Sequence, residues 1–225
     1  LAPTVVVGVG APGGAYFDLS RTYDFTPAGA TDESFGDLRT GGAKQFRAFL
    51  RGTLKPWVDE QVRVDGSRGF LFGHSLGGLF VLDTLLVAPD SFDAYVAASP
   101  SIRLFDRAIV KSTASCKARG GSSAPRVLVT VGGLESHPSP ALVEDYRRWF
   151  TAHPDALGGA PVEAVLAEIF KDEPGFDKAA ETRALAAQLG KCGFAATYAE
   201  FPDEEHTSAA ISALNRGVPF ALRGR

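Results

Sequence analysis

Ser75 stands at the centre of Gly73-His74-Ser75-Leu76-Gly77, inside the stretch FLFGHSLGGLFVL at positions 70–82. A serine hydroxyl is a weak nucleophile until a neighbouring base takes its proton, and that base needs a third group to orient it. The chain has 25 glycines, so the pentapeptide alone carries little weight and its partners must decide. The bases on offer are His74, His137, His153 and His206. His74 adjoins Ser75 in the chain, so its side chain points elsewhere and reads as a turn-packing or surface residue. His153 lies in a proline-containing loop and reads as exposed. His206, in YAEFPDEEHTSAAI, follows the last strand pattern and precedes the last helical one. That is the place of the third member in the order serine, acid, histidine. The acid should follow an intermediate strand, and VLVTVGGLESHP supplies Glu135 behind a Gly132-Gly133 turn. Asp172 and Glu173 lie beyond a helical pattern and fit less well. The expected catalytic set is therefore Ser75, His206 and Glu135. His137 either lines the mouth of the site or belongs to a surface loop.

The elements around these residues explain how they could meet. GFLFG reads as a strand, HSLG as a tight turn and GLFVLDTLL as a helix, so Ser75 falls on a strained strand-to-helix elbow. The helix start offers the backbone N–H of Leu76 to an oxyanion. A second donor is expected after the apolar run VVVGVGAP, with Gly10 preferred over Ala11. Such chemistry requires neither a metal nor an organic cofactor.

Along the chain, strand patterns at 5–9, 68–72, 94–98, 127–131 and 197–201 alternate with helical ones. The helical segments are 45–62, with Pro56 as a kink or break, then 76–86, 142–150, 177–189 and a closing helix from 208. This alternation predicts an α/β fold with a mostly parallel sheet covered by helices on both faces. Residues 14–42 read as a long ordered loop. Residues 153–175 read as a second loop with a short helical piece near 162–170; both suit lid-like insertions.

At 225 residues the chain suits one domain, 1–225. Its formal net charge of −3, with no basic tract, argues against nucleic acid as a partner. No apolar run approaches the roughly 20 residues of a membrane span. Cys116 and Cys192 are either one disulfide or two separate thiols. Localisation and oligomeric state are not encoded in any motif.

Taken in order, several stretches resemble an esterase family of the α/β-hydrolases. That family includes esterase D, the S-formylglutathione hydrolases and the esterases that open enterobactin-type siderophore trilactones. The stretches are the GVG strand end, Arg21 with Asp24, Phe25, Thr26 and Pro27, then GHSLGGLFVL, AASPS, VGGLE and FPDEEHTS. The siderophore-esterase-like branch is the closer match. The resemblance implies the α/β-hydrolase fold, a Ser-His-acid or Ser-His site, and hydrolysis of a small-molecule carboxylic ester. It carries Glu135 over less firmly than Ser75 and His206, because some siderophore-type members are described as dyads. Arg21 matches a position near the mouth of the site, suited to an anionic or catecholate group or to a structural salt bridge. The family also has a β-hairpin ahead of the strand matching 5–9, and no residues here correspond to it. The sheet is therefore expected to expose an apolar edge, covered by further native sequence or by another chain. Acyl transfer to an alcohol would use the same residues; the other alternative is a non-catalytic binding protein on a hydrolase fold, against which the intact Ser75, His206 and Glu135 argue.

Overall fold

The computed structural model describes residues 4–10, 21–31, 38–62, 69–116, 124–157, 161–163, 166, 170 and 176–223. Ala11, Asp172 and Glu173 lie outside them. Four parallel strands form one sheet in sequence order: β1 (Phe70–His74), β2 (Ala94–Ala98), β3 (Arg126–Gly132) and β4 (Ala195–Phe201). Helices run between and around them: α1 (Arg21–Phe25), α2 (Ala43–Phe49), α3 (Lys55–Gln61), α4 (Leu76–Val87), α5 (Leu104–Ala114), α6 (Pro140–Ala152), α7 (Lys178–Lys191) and α8 (Ala209–Leu222).

The strand sequences account for this layering. β2, AYVAA, has no charged residue and every one of its positions is buried, as expected for a strand covered on both faces. Alternate side chains go to opposite layers. Tyr95, Ala97, Val127 and Val129 pack with Leu79, Leu82 and Leu85 of α4, Ile109 of α5 and Leu185 and Leu189 of α7. On the other face Val96 meets Gly217 of α8, where an added Cβ would stand 2.9 Å from a Val96 methyl. The Tyr95 hydroxyl donates to the Pro89 carbonyl at 2.8 Å, so its burial leaves no unsatisfied donor. Phe80 of α4 belongs to a second cluster with Phe25 of α1 and Phe46 of α2.

Three expectations change. Residues 5–9 are not a buried strand. They form no ladder, and Val5, Val6 and Val7 are 45%, 68% and 43% exposed. An apolar β-branched run favours extension, but a strand also needs a hydrogen-bonded partner, and β1 pairs only with β2 among the described residues. Within the 14–42 loop, Arg21–Phe25 is helical, held by the Thr26 hydroxyl bonding to the Thr22 carbonyl at 2.6 Å. Pro56 does not break the 45–62 helix. A π-helical stretch, Leu50–Leu54, joins α2 to α3, and the Lys55 N–H donates to the Leu50 carbonyl. Pro56 then falls in the first turn of α3, where its missing N–H costs least.

α5 opens with three left-handed residues, Phe105, Asp106 and Arg107, at φ 57°, 52° and 56°. Just beyond its end, Cys116 is joined by a disulfide to Cys192 at the end of α7, with Cα atoms 5.8 Å apart and a sequence separation of 76. In the loop-entropy description a closure of this length is worth about 4 kcal/mol. Reduction, or replacing both cysteines by serine, should therefore lower the thermal midpoint by roughly 10 °C. Scanning calorimetry with and without reductant measures this, and an unchanged midpoint would count against a stabilising bond.

Candidate active site

The sheet order brings the loops after β1, β2, β3 and β4 to one carboxyl edge, where open α/β sheets bind their ligands. Ser75 lies between β1 and α4 at φ 58°, ψ −119°. No L-residue adopts this conformation cheaply, so the surroundings must impose it. They do so through three backbone bonds. The Ser75 N–H donates to Ala98 O at 3.0 Å, and Ser75 O accepts from Leu79 N and Ser101 N, each at 3.1 Å. Gly73 is needed because a Cβ there would collide with the Gly77 carbonyl; Gly77 itself has open space beside it. The crowding at the elbow thus acts on one of the two motif glycines.

Ser75 Oγ lies 2.9 Å from His206 Nε2, and His206 Nδ1 lies 2.6 Å from Glu135 Oε2. The structure thus brings together the three residues predicted from the sequence. Glu135 follows β3 and His206 follows β4, and their loops run against each other. A Cβ at Gly132 would strike the Glu204 carbonyl, and the Leu134 N–H donates to the same carbonyl at 3.1 Å. The Glu135 side chain is 1% exposed and both its oxygens are used. Oε1 accepts from Ser99 Oγ at 2.5 Å and from the Gly132 N–H at 2.6 Å. Oε2 accepts from His206 and also from Lys178 Nζ at 2.6 Å.

The other predicted residues are placed less tightly. Leu76 is the first residue of α4, in the turn whose N–H groups lack intrahelical acceptors. Gly10 lies in irregular backbone and is exposed, and a Cβ added to it would meet nothing within 4 Å. Arg21 stacks its guanidinium 4.5 Å over the Phe25 ring, a contact that does not involve the Ser75–His206 pair. His137 is exposed at the end of the turn that carries Glu135, its N–H donating to Leu134 O at 3.2 Å. His153 is exposed as expected and stacks on Trp149. His74 does pack the turn: its Nε2–H donates to the His206 carbonyl at 2.8 Å, with the two rings 4.6 Å apart.

The family model described as "Putative esterase" matches residues 2–154. The chain belongs to this esterase family. The ferri-bacillibactin esterase BesA of Bacillus subtilis is 31% identical to it over 98% of this chain and 68% of BesA. A siderophore enterobactin esterase of Emericella nidulans is 37% identical over 63% of this chain and 51% of that protein. Among solved structures, the siderophore hydrolase EstA from Aspergillus nidulans superposes with a TM-score of 0.68 at 29% identity, covering 92% of this chain and 67% of EstA. The fold is that of the α/β-hydrolases, and the chain falls in the siderophore-esterase-like branch. It spans about two thirds of the length of BesA and about half of the enterobactin esterase.

In this esterase three side chains around the site are given no role by the sequence: Ser99, Ser101 and Lys178. Ser99 is fully buried at φ 44° and holds Glu135. Ser101 Oγ approaches Ser75 Oγ at 3.4 Å. Both lie in AASPS, directly after β2, and a serine just past a strand's carboxyl end is the available signal. Lys178 opens α7. Among the described residues of the esterase, no group of three or more His, Cys, Asp or Glu side chains is placed to hold a metal ion.

Burial dominates the electrostatics. It pushes the Glu135 carboxyl up, but the His206 hydrogen bond and the Lys178 ammonium outweigh it and hold Glu135 well below the usual carboxylate range. Burial lowers His206, and Lys178 lowers it further, against the pull of Glu135. His74 is lowered to about 4, chiefly by burial and then by the charge of His206. A histidine lowered in this way stays neutral in the fold while the unfolded chain takes up a proton. The stability of the esterase should therefore be full above pH 6.5, the ordinary value for His74, and fall as pH drops toward about 4. Thermal midpoints across this window test it. His74→Gln, which keeps a donor to the His206 carbonyl, should flatten the slope, and a flat wild-type profile would contradict it.

Proposed function

We propose that this chain is a serine esterase that cleaves siderophore-type esters, with Ser75 as nucleophile, His206 as general base and acid, and Glu135 as the carboxylate that orients His206. The observation that carries this is the continuous run from Ser75 Oγ through His206 to Glu135, on a strained elbow in a chain of an esterase family.

For Ser75 to be activated, His206 Nε2 must be the unprotonated nitrogen and Nδ1–H must donate to Glu135 Oε2. His206 takes the hydroxyl proton as Ser75 Oγ attacks the ester carbonyl. The Leu76 N–H receives the developing oxyanion at the start of α4. Imidazolium then protonates the departing alkoxide, leaving an acyl-serine. Water enters, gives a proton to His206 and attacks the acyl carbon, and return of that proton to Ser75 Oγ frees the acid. Siderophore esters are the proposed substrates because the relatives are named a ferri-bacillibactin esterase and a siderophore enterobactin esterase. A fluorophosphonate probe should form an adduct on Ser75, and a trilactone siderophore should be hydrolysed faster than a short p-nitrophenyl ester. Folded protein with no adduct on Ser75 would overturn the enzyme reading. Preference for the simple ester would overturn the substrate class alone.

A further inference from the structure

We propose that Lys178 is a positioning residue that sets the working pH of the Ser75–His206 pair by competing with His206 for one carboxylate oxygen of Glu135. The proposal rests on the role of His206 as base given above.

Oε2 of Glu135 receives two donors, Lys178 Nζ and His206 Nδ1, each at 2.6 Å, while Nζ itself stands 3.2 Å from Nδ1. A triad needs only the second of these contacts. The tautomers make the competition explicit. When Nδ1 carries its proton and donates to Oε2, Nε2 is free to accept from Ser75, and the Lys178 ammonium faces an N–H that carries partial positive charge. When Nδ1 is bare, Lys178 donates to it, Nε2–H points at Ser75 Oγ, and the serine proton has nowhere to go. In both forms the ammonium opposes a second positive charge on the ring.

The charge cannot be moved aside cheaply. Lys178 is the first residue of α7, and its side chain is 15% exposed. An ammonium at a helix N-terminus opposes the macrodipole, so helix formation does not account for it there. Its neighbour Asp177 provides the capping that the helix needs, accepting from the Ala180 N–H at 3.0 Å. The groups that face Lys178 come from all four strand ends. Glu135 and His206 touch it, Arg103, after β2, adds positive charge at longer range, and His74, at the end of β1, faces it as a neutral ring. Burial and Arg103 lower the Lys178 ammonium while Glu135 raises it. Glu135 Oε2 thus serves two donors, the Lys178 ammonium and His206 Nδ1–H, and each takes from the other. Lys178 keeps the His206 imidazole neutral, and so able to act as base, at a more acidic pH than Glu135 alone would allow.

The test is kcat/KM for a p-nitrophenyl ester across the range in which His206 titrates, in wild type, Lys178→Met and Lys178→Arg. Lys178→Met should move the acid limb to higher pH by about one unit, a tenfold change in proton concentration. Lys178→Arg, which keeps the charge, should leave the limb near its wild-type position. A second measurement does not need turnover: the His206 ring titration by proton NMR in Ser75→Ala protein, with and without Lys178→Met. The ring should titrate at higher pH once Lys178 is gone. An unmoved ring in folded protein overturns the proposal, as does a Lys178→Arg limb that matches Lys178→Met. Loss of kcat at every pH with an unmoved limb means Lys178 only holds the structure, and overturns it too. If wild type shows no esterase activity while the ring still shifts, the catalytic reading fails and the Lys178–His206 coupling stands.

Discussion

Replacing Ser75 with alanine should lower ester hydrolysis by roughly 10³- to 10⁶-fold while KM and the thermal midpoint change little. The reasoning is local. The Ser75 side chain contributes Oγ contacts to His206 at 2.9 Å and to Ser101 at 3.4 Å. Its backbone, not its side chain, makes the bonds to Ala98, Leu79 and Ser101 that hold the elbow. Alanine keeps the backbone at φ 58°, with the same steric cost as serine, so the fold has no reason to relax. What disappears is the atom proposed to form the acyl bond. The fluorophosphonate adduct should vanish with it. Retention of full activity in Ser75→Ala would place the chemistry elsewhere.

Replacing Glu135 with glutamine should cost both rate and stability. Every group around this carboxylate is a donor: Ser99 Oγ and the Gly132 N–H at Oε1, His206 Nδ1 and Lys178 Nζ at Oε2. A glutamine amide must turn its own NH₂ toward one of these pairs, so donor meets donor whichever way it lies. If the amide faces His206, the productive tautomer loses its acceptor, and activity should fall by roughly 10²- to 10⁴-fold. Lys178 meanwhile becomes a buried cation without its anion, which should destabilise the fold by about 3 kcal/mol. Steady-state kinetics and chemical denaturation read the two effects separately. A rate loss below tenfold would mean that Ser75 and His206 work as a pair without the acid. An unchanged denaturation midpoint would mean that the Lys178–Glu135 contact adds nothing to the fold.

Ser75, Glu135 and His206 are legible in the amino-acid sequence because parallel strands joined by helices send every strand's carboxyl end to one edge. With β1, β3 and β4 recognised from their apolar runs, the three residues just past them have to be neighbours. That logic reaches no further than strand ends. Lys178 opens a helix 43 residues beyond Glu135, and a lysine there reads as a solvated side chain until the packing of α7 on β3 and β4 is known. Ser99 and Ser101 sit in a short polar turn with no periodicity to mark them. Residues 5–9 mislead for the opposite reason. Their pattern is strong, but hydrophobicity does not say whether a neighbour exists to share hydrogen bonds. Helix α1 leaves no trace because five residues are too few for a repeat of 3.6 to show. The two cysteines are undecidable from spacing, since pairing depends on where α5 and α7 end in space.

The strand order β1-β2-β3-β4 also fixes when the site can exist during folding. The proposed nucleophile follows the first of these strands and the proposed base the last, 131 residues later. Local helices and the first pairings can form from nearby sequence, but none of them creates a nucleophile. The register of β4 against β3 delivers His206, so recovered hydrolysis marks a long-range closure of the chain rather than its collapse. In refolding, catalytic competence should trail helix signal, and a newly made chain stays chemically silent until Phe201 has found Gly132.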